Sequence, residues 1–210
     1  MSAVEQELAL IPTLSLAELT DRWQAHGLGL VPRVPLRLLQ RLYAQLLQEQ
    51  AFGGLTAAVL KELDSVSPEA GKGRAPTPPP PRHGHQIRLV IAGEGRASKP
   101  ASKPAPKPEP QRDAKLAALL AEAYAARQLV LDNPETPLAD LAKQHGKCRK
   151  HLARMVELSC LAPDIVTAIL EGKQPRSLSA ASLRSRQLPL SWEEQRAALL
   201  EAWIRCLHPA

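Results

Sequence analysis

The chain is predicted to be all-α, with two small helical domains joined by a Pro-rich basic linker, and three observations lead to this fold class. Only six of the 210 residues are aromatic, so leucine and alanine must supply most of the core, and both favour helices. Apolar residues recur at helical spacing in two regions, residues 1–66 and 113–210. Between them, residues 67–112 hold eleven of the twenty prolines and lack the apolar content of a core.

The N-terminal domain, residues 1–66, is expected to contain three helices. Ser15 and Glu18 have the spacing of a capping box, in which each side chain bonds the backbone N–H of the other residue at a helix start. The helix that follows carries an apolar stripe of three residues, Leu16, Leu19 and Trp23. Two further helices are predicted, from Pro35 to Gln50 and from Leu55 to Val66.

The linker, residues 67–112, carries most of the positive charge. It holds nine Lys or Arg against three Asp or Glu, a net charge of +6, whereas residues 1–66 sum to −2 and residues 113–210 to +2. Its Pro-rich runs predict extended, disordered backbone that acts as a semi-rigid tether. Its charge indicates nonspecific attraction to phosphates.

The C-terminal domain, residues 113–210, is predicted to be helical throughout. A long helix from Asp113 to Leu131 is followed by a helix-turn-helix, described below. Pro163 is suited to the first turn of the next helix, and Gly172 is suited to its end. A short helix lies in SLSAASLRSR, and a second capping box, Ser191 with Glu194, opens the last helix. The apolar residues of this last helix are Trp192, Leu199, Leu200, Trp203 and Ile204.

Residues 138–158, LADLAKQHGKCRKHLARMVEL, have the pattern of a DNA-binding helix-turn-helix. Thr136 is placed to cap the first helix, with Pro137 in its opening turn. Ala142 allows close approach of the two helices, and Gly146, four residues later, accepts the positive φ of the turn. Apolar residues predicted to close the core are Leu138, Leu141 and Ala142 from the first helix and Leu152, Met155 and Val156 from the second.

The second helix of this motif is densely basic, since residues 143–154 contain five basic residues and no acid. Arginine and lysine bind phosphates, and arginine also bonds guanine with two hydrogen bonds. We therefore expect contact with double-stranded DNA by Lys143, Lys147, Cys148, Arg149, Lys150, Ala153 and Arg154. Of these, Cys148, Arg149, Lys150, Ala153 and Arg154 are expected to face outward.

A basic helix face is also compatible with other roles. Many amphipathic helix pairs have a solvated basic face that binds nothing. The main alternative is a protein-interaction adaptor that docks onto a phage or recombinase partner without binding DNA. Burial of Arg149 or Arg154, or pairing of either with Glu157 or Asp140, would favour the adaptor.

Two segments resemble known families. RLYAQLLQEQAFGGL, with LSLAELTDRW upstream, is similar to the start of a phage-associated bacterial domain family of unknown function, over residues 1–66. Members of that family continue into a short β segment, for which His85 to Ile91 is the candidate. This resemblance implies a genomic context in phage or prophage regions and no mechanism.

The C-terminal resemblance is more specific. LSCLAPDIVTAILEGKQP followed by SLSAASLRSRQLPLSWEEQR resembles the C-terminal helix-turn-helix region of large serine recombinases, over residues 113–198. It implies groove contact by the second helix, in a bacterial accessory or regulatory protein of phage or mobile-element type. A recombinase also needs a catalytic domain whose serine attacks the DNA phosphate, and residues 1–112 contain none. A single helix-turn-helix gains affinity by dimerising, so a homodimer is also expected.

The sequence gives no sign of catalysis or of a cofactor. No glycine-rich phosphate loop and no nucleophile elbow is present, and the spacing of His145, Cys148 and His151 argues against a zinc site. We therefore predict a non-enzyme without metal. The three cysteines are too few for a disulfide framework, and no signal peptide or membrane span is evident, so a cytoplasmic protein with reduced thiols is expected.

Overall fold

The computed structural model describes residues 3–66, 112–175 and 178–207, the last eight of these as backbone only. Within these ranges the fold is all-α and no strand forms, as predicted. Residues 67–111 of the predicted linker, including the candidate β segment from His85 to Ile91, lie outside the described residues. So do the side chains of Leu200, Trp203, Ile204 and Cys206.

Four helices form the N-terminal half of the described chain. They are α1 Ala3–Leu10, α2 Leu16–Ala25, α3 Leu36–Phe52 and α4 Ala57–Ser65. The capping box at α2 is confirmed, because the Ser15 hydroxyl accepts from the Glu18 N–H and the Glu18 carboxylate accepts from the Ser15 N–H. Leu19 and Trp23 are fully buried, whereas Leu16 is 55% exposed, so its place in the apolar stripe was wrongly predicted. Sequence analysis missed α1.

Six helices form the C-terminal half. They are α5 Ala114–Asp132, α6 Leu138–Gln144, α7 Arg149–Leu158, α8 Pro163–Leu170, α9 Ala180–Ser185 and α10 Trp192–Leu207. Asp113 caps α5 by accepting from the N–H groups of Lys115 and Leu116. The predicted cap of α6 is corrected. Helix α6 begins at Leu138, so Pro137, not Thr136, is the N-cap residue, and the N–H of Leu138 bonds the carbonyl of Arg33 instead of a side chain.

The two halves pack around a shared core. Buried apolar residues of α1 to α4 and of α5 to α10 form one hydrophobic cluster. Helix α5 lies at its centre, with ten buried residues, and α7 packs along it. The domain boundaries at residues 66 and 113 remain a prediction, but the halves on either side of the linker are in direct contact.

Polar contacts also join the halves. Arg127 of α5 makes two hydrogen bonds to the carboxylate of Glu49 on α3, at 2.7 and 2.5 Å. This pair is largely buried, and burial of a charge is tolerated only when it is paired in this way. The buried Gln45 and Gln48 of α3 accept from the indole Nε1 and the backbone N–H of Trp192, both at 2.8 Å. The N-terminal helices therefore position the C-terminal ones.

Candidate nucleic-acid interface

Helices α6 and α7 form the predicted helix-turn-helix. The turn between them closes through two backbone hydrogen bonds, from the Gly146 N–H to the Lys143 carbonyl and from the Lys147 N–H to the Ala142 carbonyl. Gly146 has a φ of +61°, a conformation that side chains with a Cβ disfavour. The turn is therefore fixed by Gly146, and Ala142 is buried between the helices, as the sequence predicts.

The inner faces of the motif are apolar. All six residues predicted to close its core are at most 3% exposed: Leu138, Leu141, Ala142, Leu152, Met155 and Val156. Helix α7 packs these residues against α5 and also against α3. The second helix of the motif is consequently held on most of its length by the protein.

Three basic side chains remain exposed at the turn and at the start of α7. Lys143 lies in the last turn of α6, and Arg149 and Lys150 are the first two residues of α7. All three are exposed, and none makes a side-chain hydrogen bond or ion pair with any described residue. We call Lys143, Arg149 and Lys150 the basic tip.

Cys148 is the N-cap residue of α7 and is exposed beside the basic tip. Its thiol makes no capping hydrogen bond. The backbone N–H groups of His151 and Lys150 favour the thiolate and lower the pKa of Cys148 below its usual value. Cysteine therefore provides no side-chain cap here, where serine or threonine would be a stronger one.

Lys147 is tied to α5 through Glu122. The Lys147 ammonium donates to the Glu122 carboxylate at 3.1 Å, and the His151 ring Nε2 lies 3.0 Å from the same oxygen. Burial raises the pKa of Glu122, but the hydrogen bonds from His151 and Lys147 outweigh it and hold that pKa below its usual range. The side chain of Lys147 is therefore less available to an outside anion than those of the basic tip.

Arg154 and Ala153 do not face outward as predicted. The Arg154 guanidinium, with its side chain 22% exposed, bonds the carbonyls of Leu183, Arg184 and Arg186 and the carboxylate of Glu157. Ala153 is half-buried and packs against the core. The physical reason is that the end of α9 lies over this face of α7. Arg154 therefore holds α9 in place, and only the first turn of α7 presents free cations.

Sequence reasoning missed two groups that shape the site. Glu122 has no charged partner at helical spacing that would mark it in the sequence, and the carbonyls at the end of α9 carry no side-chain signal. Both act over long sequence separations, 25 residues for Glu122 with Lys147 and about 30 for Arg154 with α9. Helical periodicity reads neighbours three or four residues apart and cannot find such contacts.

The described part of the chain offers neither a metal site nor a membrane-spanning helix. It contains no group of three or more His, Cys, Asp or Glu side chains arranged to hold a metal ion. Among its helices, none combines the length and apolar content needed to cross a membrane. In comparisons with known proteins, no family model, no curated protein and no solved structure matches the chain.

Proposed function

We propose that the helix-turn-helix of residues 138–158 binds double-stranded DNA, with the basic tip entering the major groove. The observation that carries this proposal is the set of three exposed, unpaired cations, Lys143, Arg149 and Lys150, at the turn and the start of the second helix. In this motif the N-terminal residues of the second helix are the ones that reach the base edges. Burial of the rest of α7 is compatible with that mode of docking.

The chemistry of the basic tip suits its proposed roles. Arg149 can bond guanine O6 and N7 together, which reads sequence, whereas Lys143 and Lys150 suit phosphate oxygens. The partial positive charge at the N-terminus of α7 adds to the attraction for phosphate.

The proposed role is that of an accessory or regulatory DNA-binding protein of phage or mobile-element type, without catalysis. The resemblance of residues 113–198 to the DNA-binding region of large serine recombinases supports it, as does the net charge of +6 on residues 67–112. A homodimer would supply two basic tips for two half-sites. Arg154, Ala153 and Lys147 are no longer proposed as main contacts.

The second candidate is a protein-interaction adaptor for a phage or recombinase partner. The ion pair of Arg154 with Glu157, at 2.7 Å, favours it, since this pair removes one cation from the predicted basic face. The DNA-binding proposal then depends on the basic tip alone. Because residues 67–112 are also expected to attract phosphates, the two candidates are separated by the loss of DNA binding when the basic tip is changed, and not by binding of the full chain alone.

The test is fluorescence anisotropy with the full chain on a randomised duplex pool across a salt series. The double variant Arg149→Ala/Lys150→Ala is compared with the control Lys61→Ala/Lys115→Ala, which removes the same charge from two exposed, unpaired lysines. We expect log affinity to fall linearly with log salt. In the first variant the slope should be smaller by about one, for the lost Lys150 phosphate contact, and affinity should fall further through loss of the Arg149 base contact, whereas the control should stay close to the parent. Absence of binding at low salt, or equal loss in both variants, would reject groove contact by the basic tip and leave the adaptor.

A further inference from the structure

The segment before α3 lies directly against the start of the helix-turn-helix. The Arg33 N–H donates to the carbonyl of Pro134 at 2.9 Å, and the Leu138 N–H donates to the carbonyl of Arg33 at 3.2 Å. The second bond satisfies the first N–H of α6, for which no side chain acts as a cap. Two backbone bonds thus fix Arg33, a residue of the N-terminal half, at the first turn of α6.

The side chains at this place are exposed and unpaired cations. Arg33 is exposed, and so is Arg37, four residues later in the first turn of α3. Neither guanidinium makes a hydrogen bond or an ion pair with any described residue. The work that Arg33 does for the fold is done by its backbone, so its side chain is not needed for capping α6.

The spacing matches the width of a DNA groove. Helix α6 has seven residues and is therefore about 10 Å long, so Arg33 at its start and the basic tip beyond its end are separated by roughly that length. The major groove is about 12 Å wide. When the second helix of the motif enters the groove, the first crosses the phosphate backbone at its edge. Arg33 then lies beside the phosphates that border the groove.

We propose that Arg33 and Arg37 bind the DNA phosphate backbone at the edge of the groove that receives the basic tip. The inference rests on the proposed function and gives the N-terminal half a direct part in it. These contacts are to phosphate, so they add affinity and orientation without reading sequence.

Two exposed carboxylates at or near the start of α6 oppose this attraction. Glu135 follows Pro134 directly, and Asp140 lies in the first turn of α6. If a phosphate is bound beside Arg33, removing the charge of Glu135 must strengthen binding, since like charges repel. The proposal therefore predicts weaker DNA binding when the arginines are replaced and stronger DNA binding when Glu135 is replaced.

The experiment measures DNA affinity of the full chain over a salt series for Arg33→Gln/Arg37→Gln. Its matched control is again Lys61→Ala/Lys115→Ala. Both lysines lie near the start of α5: Lys115 is in its first turn, and Lys61 is next to Glu62, which pairs with Arg112 just before α5. Arg33 lies near the opposite end of α5, where it bonds Pro134. The two sites are therefore separated by roughly the length of this 19-residue helix, about 28 Å. We expect the salt slope to be smaller by about two in the arginine variant, at roughly 0.9 per phosphate, with the preferred sequence unchanged.

The other outcomes are distinguishable. Glu135→Gln is expected to raise affinity by roughly two- to fivefold, as for an exposed charge pair. If Arg33→Gln/Arg37→Gln keeps the parent slope while Arg149→Ala/Lys150→Ala loses binding, this inference fails and the proposed function stands. If the parent chain binds no DNA, both fail. Thermal unfolding of each variant establishes that the compared proteins are folded, and single Arg33→Gln and Arg37→Gln variants replace the double if it unfolds.

Discussion

Arg154 shows how one residue can meet every sequence criterion for DNA contact and serve the fold instead. Its guanidinium has five donors in a rigid fork, which suits guanine or phosphate and equally suits a group of carbonyls. The last carbonyls of a helix have no intrahelical partner, and those of Leu183, Arg184 and Arg186 meet the side chain of Arg154 at the end of α9. Arg154 acts as a remote cap for α9.

Replacing Arg154 should therefore cost stability. Arg154→Met keeps the stem of the side chain but leaves three carbonyls and Glu157 without their donor. Each hydrogen bond to a charged group contributes about 1.5–3 kcal/mol, but the guanidinium of Arg154 is partly exposed, so its bonds contribute less than their sum. We expect the free energy of unfolding to fall by about 2–3 kcal/mol. Urea unfolding measures it, with Arg149→Met as the exposed control expected to change less than about 0.5 kcal/mol. Equal stability of the two variants would mean that the Arg154 bonds contribute nothing.

At the same scale, the sequence predicted what depends on near neighbours. Gly146 was placed correctly because a turn of this kind needs positive φ, and Cys148 faces outward as predicted. Arg154 does lie on the second helix of the motif, but its predicted outward orientation was wrong. Its partners could not be predicted, because nothing in the sequence places the end of α9 over α7.

Among the described helices, α5 has the central position, and its Glu122 side chain holds the start of α7. One carboxylate accepts from both Lys147, at the turn, and His151, in the first turn of α7. The basic tip lies between and beside these two residues in sequence. The orientation of the tip is therefore set by a charged contact to α5 as well as by apolar packing.

This contact predicts a dependence of stability on pH. The pKa of Glu122 in the folded protein lies below its ordinary value of 4.5, so its stabilising effect is present above pH 4.5 and is lost as the pH falls through the folded pKa. In urea unfolding at pH 7, Glu122→Gln should be less stable than the parent by under about 1 kcal/mol, since the group is partly exposed. The difference should narrow below pH 4.5. A difference that stays constant down to pH 3 would show that Glu122 is not held as a carboxylate by these partners.

Some helices begin at a cap from a neighbouring residue, and others begin where a residue far away in the sequence accepts the first hydrogen bond. The capping residues Ser15 and Asp113 act on N–H groups two or three residues away, and both helices begin where the sequence predicted within one residue. In helix α6, by contrast, the first N–H, that of Leu138, donates to the carbonyl of Arg33, about a hundred residues away in the chain, and the cap was wrongly assigned to Thr136. Helix α1 was missed because only Leu8 of its eight residues is buried, which leaves no apolar stripe to detect.

Over the whole molecule, the two halves are joined by a polar stripe on α3 as well as by the core. Arg41, Gln45 and Gln48 follow one another at helical spacing and bond the segment that leads into α10. Arg41 donates to the carbonyl of Leu188, and Gln48 donates to the carbonyl of Leu190 and accepts from the N–H of Trp192. This buried segment would otherwise carry unsatisfied backbone groups, which cost about 1–3 kcal/mol each. The N-terminal half is thus required by the C-terminal half.

Continuity of the chain between the halves is then expected to be dispensable for the folded state. Glu62 and Arg112, which flank residues 67–111, form an ion pair at 2.6 Å, so the two ends of that segment already lie side by side. Cutting it makes the association of the halves bimolecular, and the shared core and the α3 stripe, which the cut leaves intact, are expected to hold them together. With a specific protease site inserted between residues 92 and 93, the cleaved halves should elute together at the size of the uncut protein and separate only in denaturant.

Adding Gln48→Leu, which leaves the N–H of Trp192 and the carbonyl of Leu190 buried without partners, should weaken the association of the cleaved halves at least tenfold. Separation of the cut halves without denaturant would instead mean that each half is a domain held to the other only by the chain.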